Sequence, residues 1–562
     1  MKRKTRALAL VLGLLSLNYC APEQSPDDVA AAMLLTQPSP EPRVNRETIQ
    51  LAFDEQNDGS FEFEKDLWIE SADGTRISAN VFLPAGMQSG QKYPAIVFVN
   101  SWALNEFEYI VPAAILAKKG YIVLSYSTRG FGKSEGLINV AGPADMQDLS
   151  AALDWLEEHT PVDVNNIGMA GISYGAGISM LGLARENRVK TAVAMSGWTD
   201  LERSLYGNES PRMVWGELLL LSGGLTGRMD PVIRENFNRL LDHREVDYVR
   251  QWAAERSAKT YIDAINENRK PLYISNNMQD NLFAPNGILE FYQNLEGPRR
   301  LDINQGIHAT AEIAGLLGIS NFVWDNAYAW FDYWLKGEDN GIMDKNPVTI
   351  QRKFSKDRDE YSSWPPEDLE TETLYLRPSG WFRAPSLDDD PNRSSGEERF
   401  YNGMDTWAST GIPLLSPILE SHVSAPVKLY LPSVSDLHGE VFRSGTYWSG
   451  LKIRGVPEAK LRVRSDKTSA QFVVYLYERD LLDWGTLITH GVVTLHGLTP
   501  GAATEVLVDL NAVSYNLSPG SRLALVVDTF DAQYASPDRA SFRVSLDLPS
   551  SAQSELTIPV IR

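Results

Sequence analysis

Between Ala95 and Ser196 the chain alternates short apolar runs with helical stretches, and this alternation constrains the fold more than any other feature. AIVFVN (95–100) precedes a helical stretch near 109–118, then come YIVLSY (121–126), a helix over 145–158, IGMAG (167–171), a helix over 175–186, and TAVAMS (191–196). Unbroken aliphatic runs mark strands buried on both faces, and helices between such strands must cross over the sheet. The pattern predicts a mainly parallel sheet covered on both sides. The chain enters it through a hairpin, FEFEKDLWIES (61–71) and TRISANVFLP (75–84), turning at Asp73-Gly74.

After TAVAMS the grammar changes. Helical spacing dominates 201–268, including TYIDAIN (260–266), which predicts an inserted helical cap. Strands return at PLYISN (271–276) and RLDIN (300–304), and an aromatic amphipathic helix is predicted over 322–336. From about 347 onward, KLRVRSD, QFVVYLYERD, EVLVDL and RLALVVDTF alternate with turn residues, the signature of an all-β domain, read as a two-sheet sandwich. The predicted organisation is a signal peptide (1–20), a Pro-rich linker (21–45) with folded structure from near Thr48, an α/β domain in two parts (46–199 and 269–346) around the cap (200–268), and a β-sandwich (347–562). No internal repeat is visible.

The extreme N-terminus carries Lys2, Arg3, Lys4 and Arg6, an apolar run over 7–17, and then Cys20, the only cysteine of the 562 residues. A run that short does not span a bilayer, so it reads as an export signal. Leu17-Asn18-Tyr19-Cys20 resembles a bacterial lipobox, with Tyr19 where a small residue is usual. Cys20 is thus the candidate lipid-attachment residue. The expectation is an exported protein, either a periplasmic, outer-membrane or cell-surface lipoprotein anchored to a bacterial membrane, or a secreted one. A formal net charge of −21, from 73 acidic and 52 basic side chains, repels phosphate backbones and argues against a nucleic-acid partner.

Gly171-Ile172-Ser173-Tyr174-Gly175 matches GxSxG between a buried strand and a helix, the context in which a tight turn projects a nucleophilic serine from the sheet edge. A serine hydroxyl needs a base. Of the 7 histidines, His422, His438, His490 and His496 fall in the β domain, His159 precedes the nucleophile strand, and His243 sits in the cap. His308, in the loop after RLDIN, is placed to reach back over the serine and is the predicted general base. The orienting acid is predicted to be Asp280, after PLYISN, with Asp200 as runner-up and a helix cap as the plain alternative for either. The backbone N–H of Tyr174 is the first expected oxyanion donor. Trp102, in the loop after AIVFVN, is the second, through its backbone or its indole N–H.

Together these residues resemble the CocE/NonD family, which groups cocaine-esterase-like acyl esterases, α-amino acid ester hydrolases and Xaa-Pro dipeptidyl peptidases of the S15 type. The resemblance rests on GYIVLSYSTRGFGKSEG (120–136), GISYG, Asp280 before Phe283, His308 after Gly306, FDYWLKGEDNG (331–341) and YNLSPGSRLALVV (515–527). It implies an α/β-hydrolase fold with an inserted helical cap, an all-β jelly-roll (galactose-binding-like) C-terminal domain, and a triad of Ser173, Asp280 and His308. Family members often place a tyrosine hydroxyl in the oxyanion hole, where this chain has Asn100-Ser101-Trp102. They often carry an aspartate at the position of Ser127, so the resemblance implies that Arg129 lacks its usual partner.

The expected activity is hydrolysis of an ester or amide through an acyl-enzyme, most simply as a CocE-like acyl esterase or acylase acting on a small-molecule ester or amide or a short peptide. The alternative within the class is an Xaa-Pro dipeptidyl-peptidase, which must hold a substrate ammonium; Glu202, Glu217 and Asp230 are the candidate carboxylates. The alternative from another class is a non-catalytic, glycan-binding surface protein. The few histidines and the absence of a phosphate-binding glycine loop predict no metal and no cofactor.

Overall fold

The computed structural model describes residues 53–562, apart from 55, 57, 392, 404, 405 and 414 and the side chains of 422 and 423. The predicted signal peptide, the linker, the start near Thr48 and Cys20 lie outside the described residues. No described helix is long and apolar enough to cross a membrane.

One sheet holds β1 (Phe61–Glu70), β2 (Arg76–Pro84), β3 (Tyr93–Val99), β4 (Ile122–Tyr126), β5 (Val162–Ile172), β6 (Val189–Met195), β7 (Leu272–Asn277), β8 (Arg299–Asn304), β9 (Val348–Gln351) and β10 (Arg358–Tyr361). Their spatial order is β1-β2-β4-β3-β5-β6-β7-β8-β9-β10. The pairs β1/β2, β2/β4 and β9/β10 are antiparallel, and every pair from β4 through β3 to β9 is parallel. Crossover helices cover both faces because each parallel step needs one. Every residue of β4 is buried, as its continuous IVLSY text requires. The sheet runs to Tyr361, past the expected boundary at 346; VTIQ and RDEY read as β-domain text by alternation alone, yet β9 pairs in parallel with β8.

Between β6 and β7 the described chain forms helices at Leu201–Tyr206, Met213–Thr226, Pro231–Leu241, Val246–Ala254 and Ile262–Glu267. The C-terminal unit is all-β, and most of its strand pairs are antiparallel. Its core is a cluster of alternate inward residues such as Phe442, Ile453, Leu461, Leu476 and Leu525. It is tied to the α/β sheet by Arg454, whose Nε and Nη2 donate to Asp359 Oδ2 at 2.9 and 2.8 Å, and by Asn286, which bridges to Leu510 O and Ala512 N.

The implied loss of a partner for Arg129 is not what the structure shows. Its guanidinium holds Asp148 at 2.8 and 2.6 Å and Asp73 at 3.0 Å. Ser127 donates instead to Glu106.

Candidate active site

β5 ends at Ile172, and the helix Tyr174–Arg185 starts one residue after Ser173, so the chain must reverse within a single residue. Ser173 takes φ +56°, a left-handed conformation that costs a non-glycine residue energy and that the surrounding turn must impose. Its N–H is held by Met195 O at 2.8 Å. The flanking glycines are there for space. A Cβ on Gly175 would lie 2.0 Å from Val99 O, and one on Gly171 would lie 2.4 Å from the Gly175 carbonyl carbon.

The loop after β8 brings His308 over this turn. His308 Nε2 lies 2.7 Å from Ser173 Oγ, and His308 Nδ1 lies 2.8 Å from Asp280 Oδ2. With the proton on Nδ1, the ring donates to Asp280 and leaves Nε2 to accept from the serine. Asp280 is 1% exposed, and its other oxygen accepts from Leu282 N and Phe283 N, both at 2.9 Å. Those two N–H groups fix the side chain in place beside the imidazole. Phe283 meets the imidazole edge-on at 5.0 Å, and Trp215, from the helix Met213–Thr226, does so at 5.9 Å.

The runner-up acid is a helix cap. Asp200 accepts from Arg203 N at 3.1 Å at the start of Leu201–Tyr206, with Lys259 Nζ 3.6 Å away. The other described histidine side chains are engaged elsewhere. His159 stacks on Trp155, His438 bonds Tyr401 O, His490 bonds Tyr534, and His243 and His496 stack on each other.

The oxyanion side departs from expectation in one respect. The Trp102 indole N–H donates to Leu219 O at 3.0 Å, so it is taken up by the helix Met213–Thr226 and does not serve the serine. Space drives this. The ring packs against Gly223, where a Cβ would sit 2.5 Å from Trp102 Cζ2. The expectation of an oxyanion hole then rests on two backbone N–H groups. Tyr174 is the first residue of its helix and has no intrahelical acceptor. Trp102 N–H belongs to a turn closed by Leu104 N donating to Ser101 O at 3.1 Å, with Ala103 at φ +68°.

That turn hangs on residues the sequence did not single out. Ser101 N donates to Glu108 Oε2 at 2.6 Å, and Ser101 Oγ lies 2.6 Å from Glu108 Oε1 and 3.0 Å from Ile172 O. One hydroxyl proton cannot serve both acceptors. The accounting closes when Glu108 is protonated, donating to Ser101 Oγ while the serine donates to Ile172 O. Burial pushes Glu108 up to about 7, consistent with that form. Tyr109 OH accepts from Ile172 N at 2.8 Å, so Tyr109 and Ser101 hold both backbone groups of the residue before Ser173. On the far side, Tyr174 OH donates to Asp145 at 3.1 Å, and Asp145 is pushed up to about 7, chiefly by burial and then by Asp148. Glu108 carried no usable signal, since a carboxylate beside the apolar run YIVPAAI reads equally well as a solvated helix start.

Of the candidate ammonium-binding carboxylates, Asp230 caps Pro231–Leu241 through Val232 N at 2.9 Å, and Glu202 lies 3.4 Å from Arg250 Nε. Glu217 is on the helix Met213–Thr226, two residues from Trp215. Two residues turn a helix by about 200°, which carries Glu217 away from the face that bears Trp215 and Leu219.

Comparison with known proteins gives a consistent picture. The model of the X-Pro dipeptidyl-peptidase (S15 family) matches residues 73–310, and that of the X-Pro dipeptidyl-peptidase C-terminal non-catalytic domain matches residues 340–557. A candidate Xaa-Pro dipeptidyl-peptidase of Bacillus anthracis is 20% identical over 482 residues, covering 79% of this chain and 74% of that protein. One of Streptomyces avermitilis is 21% identical over 511 residues, covering 81% and 72%. Among solved structures, a CocE/NonD family hydrolase from Staphylococcus aureus superposes with TM-score 0.69 at 15% identity, over 89% of this chain and 94% of that one. An α-amino acid ester hydrolase does so with TM-score 0.69 at 15% identity, over 90% and 97%.

Proposed function

The chain belongs to the S15/CocE family of hydrolases, and on that footing we propose that it cleaves an ester or amide through an acyl-enzyme on Ser173. The observation that carries the proposal is the unbroken relay from Asp280 to His308 to Ser173, with contacts of 2.8 and 2.7 Å. In this reading Ser173 Oγ attacks the substrate carbonyl while His308 Nε2 takes the hydroxyl proton. The new oxyanion is met by the backbone N–H groups of Tyr174 and Trp102 at the positive end of the helix Tyr174–Arg185. Collapse expels the leaving group, protonated by His308, and water reverses the sequence to free the acid. Asp280 holds the ring in the required tautomer and stabilises the imidazolium formed in each half-reaction.

Between the two substrate classes, the arrangement over the site favours an acyl esterase or acylase. The helix that reaches His308 reads MVWGELLLLSGGLT, and its one carboxylate lies off the face that meets the imidazole. A dipeptidyl-peptidase needs a carboxylate at the substrate ammonium, and Asp230 and Glu202 are committed to a cap and to Arg250. The test is side-by-side turnover of a p-nitrophenyl acyl ester and an Ala-Pro p-nitroanilide, with Ser173→Ala as control and a fluorophosphonate probe to mark the nucleophile. Faster cleavage of the ester with labelling at Ser173 is expected. Preference for the anilide would transfer the assignment to the dipeptidyl-peptidase reading, and labelling that survives Ser173→Ala would remove the nucleophile. Export directed by residues 1–20 is part of the same proposal, and fractionation of the host cell with N-terminal mass analysis tests it.

A further inference from the structure

Away from the relay, three side chains from distant parts of the sequence meet at the seam between the helical segment and the β domain. Glu209 lies in the short turn Gly207–Glu209, His243 follows the helix Pro231–Leu241, and His496 follows the strand Trp484–Leu495. The His243 and His496 rings stack with centroids 3.4 Å apart and planes within 5°, and ligand atoms of all three residues lie within 4.8 Å of one another. We propose that Glu209, His243 and His496 bind one divalent transition-metal ion of the zinc type, clamping the helical segment to the β domain.

The donor set has the right chemistry. Two imidazole nitrogens and one carboxylate oxygen suit zinc and its late first-row neighbours, with water completing a tetrahedral shell on the exposed side. Ligand atoms in such a shell lie roughly 3.3 Å apart, so the groups must close by up to about 1.5 Å. Stacked rings also aim their lone pairs side by side, so each must turn about its ring torsion toward a shared point; that torsion is broad and soft. The surroundings prepare the donors. Tyr206 OH lies 2.8 Å from His243 Nδ1, which leaves Nε2 of that ring for the ion, in the manner of outer partners that fix a ligating imidazole. Arg250 Nη2 holds Glu209 Oε1 at 2.9 Å and leaves Oε2, 3.9 Å from His243 Nδ1, toward the cluster. Among the described residues, the His496 ring nitrogens have no hydrogen-bond partner.

The seam is already bonded around the cluster. Asn208 Nδ2 donates to Val492 O at 3.0 Å, Ser210 Oγ meets Thr494 Oγ1 at 2.8 Å, and Ala535 N donates to Pro211 O at 2.9 Å. An ion here joins contacts that seat the chain leading into the helix Met213–Thr226, which reaches His308.

The experiment titrates the tag-free, metal-stripped full chain with Zn²⁺ by calorimetry and with Co²⁺ by its visible ligand-field bands. One equivalent is expected to bind with micromolar Kd and to raise Tm by a few degrees at about 100 times Kd. His243→Ala and His496→Ala should each weaken binding at least about tenfold, and His308→Ala should leave it unchanged, separating this site from the relay. Circular dichroism and metal-free ester turnover report whether each variant is folded, and Glu209→Gln, expected to weaken binding several-fold, stands in if a histidine variant is not. No binding to the parent chain, or undiminished binding to the His243→Ala/His496→Ala double variant, overturns the proposal.

Discussion

The two walls of the candidate site each rest on an inward carboxyl, held by different partners. On one wall, Asp280 is buried and satisfied by two backbone N–H groups and one imidazole. On the other, Glu108 turns its carboxyl inward onto Ser101 and is held near neutrality by burial, so that it serves as both donor and acceptor for the turn that carries Trp102 N–H. The Asp280 wall supports the group that moves a proton in the proposed reaction. The neutral wall supports groups that must stay still.

The largest expected effect separates Asp280 from its runner-up. Asp280→Asn keeps the shape but offers an N–H where the imidazole needs an acceptor, and it should lower kcat by about 10⁴-fold, as loss of the orienting carboxylate does in such relays. Asp200→Asn preserves a good cap and should leave kcat within about twofold. Ester turnover of the purified variants decides between them, and comparable losses in both would erase the distinction.

A smaller effect sharpens the contrast from the other wall. Glu108→Ala removes both contacts to Ser101 and should cut kcat about 10- to 100-fold with little change in KM, since the misplaced donor acts on the transition state. Glu108→Gln retains a donor and an acceptor and should recover most of that loss. The pH dependence carries the sign. Burial raises Glu108 from 4.5 to about 7 in the folded chain, so the folded state binds a proton more tightly than the unfolded one. Its contribution to stability is therefore complete below about pH 4.5 and is lost as pH rises through about 7. The parent kcat should decline above about pH 7 as the carboxylate draws the Ser101 hydroxyl proton away from Ile172 O, and Glu108→Gln should abolish that decline. A pH–rate profile identical in parent and Gln variant would falsify the neutral-wall account.

Much of the Asp280 wall was legible in the chain because each group stands at the end of a strand. Continuous apolar text locates β5, β7 and β8, and Ser173, Asp280 and His308 each follow one of them. Glycine spacing around Ser173 adds a steric signature that few other turns require. The neutral wall was not legible. Glu108 does its work through a turn seven residues upstream, and nothing in EFEYIVPAAI distinguishes an inward carboxyl from a solvated one. The short strands β9 and β10 escaped for a related reason, since four-residue strands carry too little pattern to show which sheet they join. Partners brought together only by folding, such as Arg129 with Asp148, or His243 with His496 across the seam, leave no periodic trace at all.

The smallest effect tests the placement of Trp102. With its indole N–H on Leu219 O and its ring against Gly223, the side chain joins the turn to the overlying helix rather than facing the serine. Trp102→Phe then removes one hydrogen bond to a backbone carbonyl, a loss of about 1 kcal/mol in stability, and should change kcat by less than about fivefold. The backbone N–H that the neutral wall positions is untouched by the substitution. A fall of 100-fold or more in kcat with KM unchanged would return the indole to the oxyanion side and leave Glu108 holding a turn that supplies nothing to the reaction.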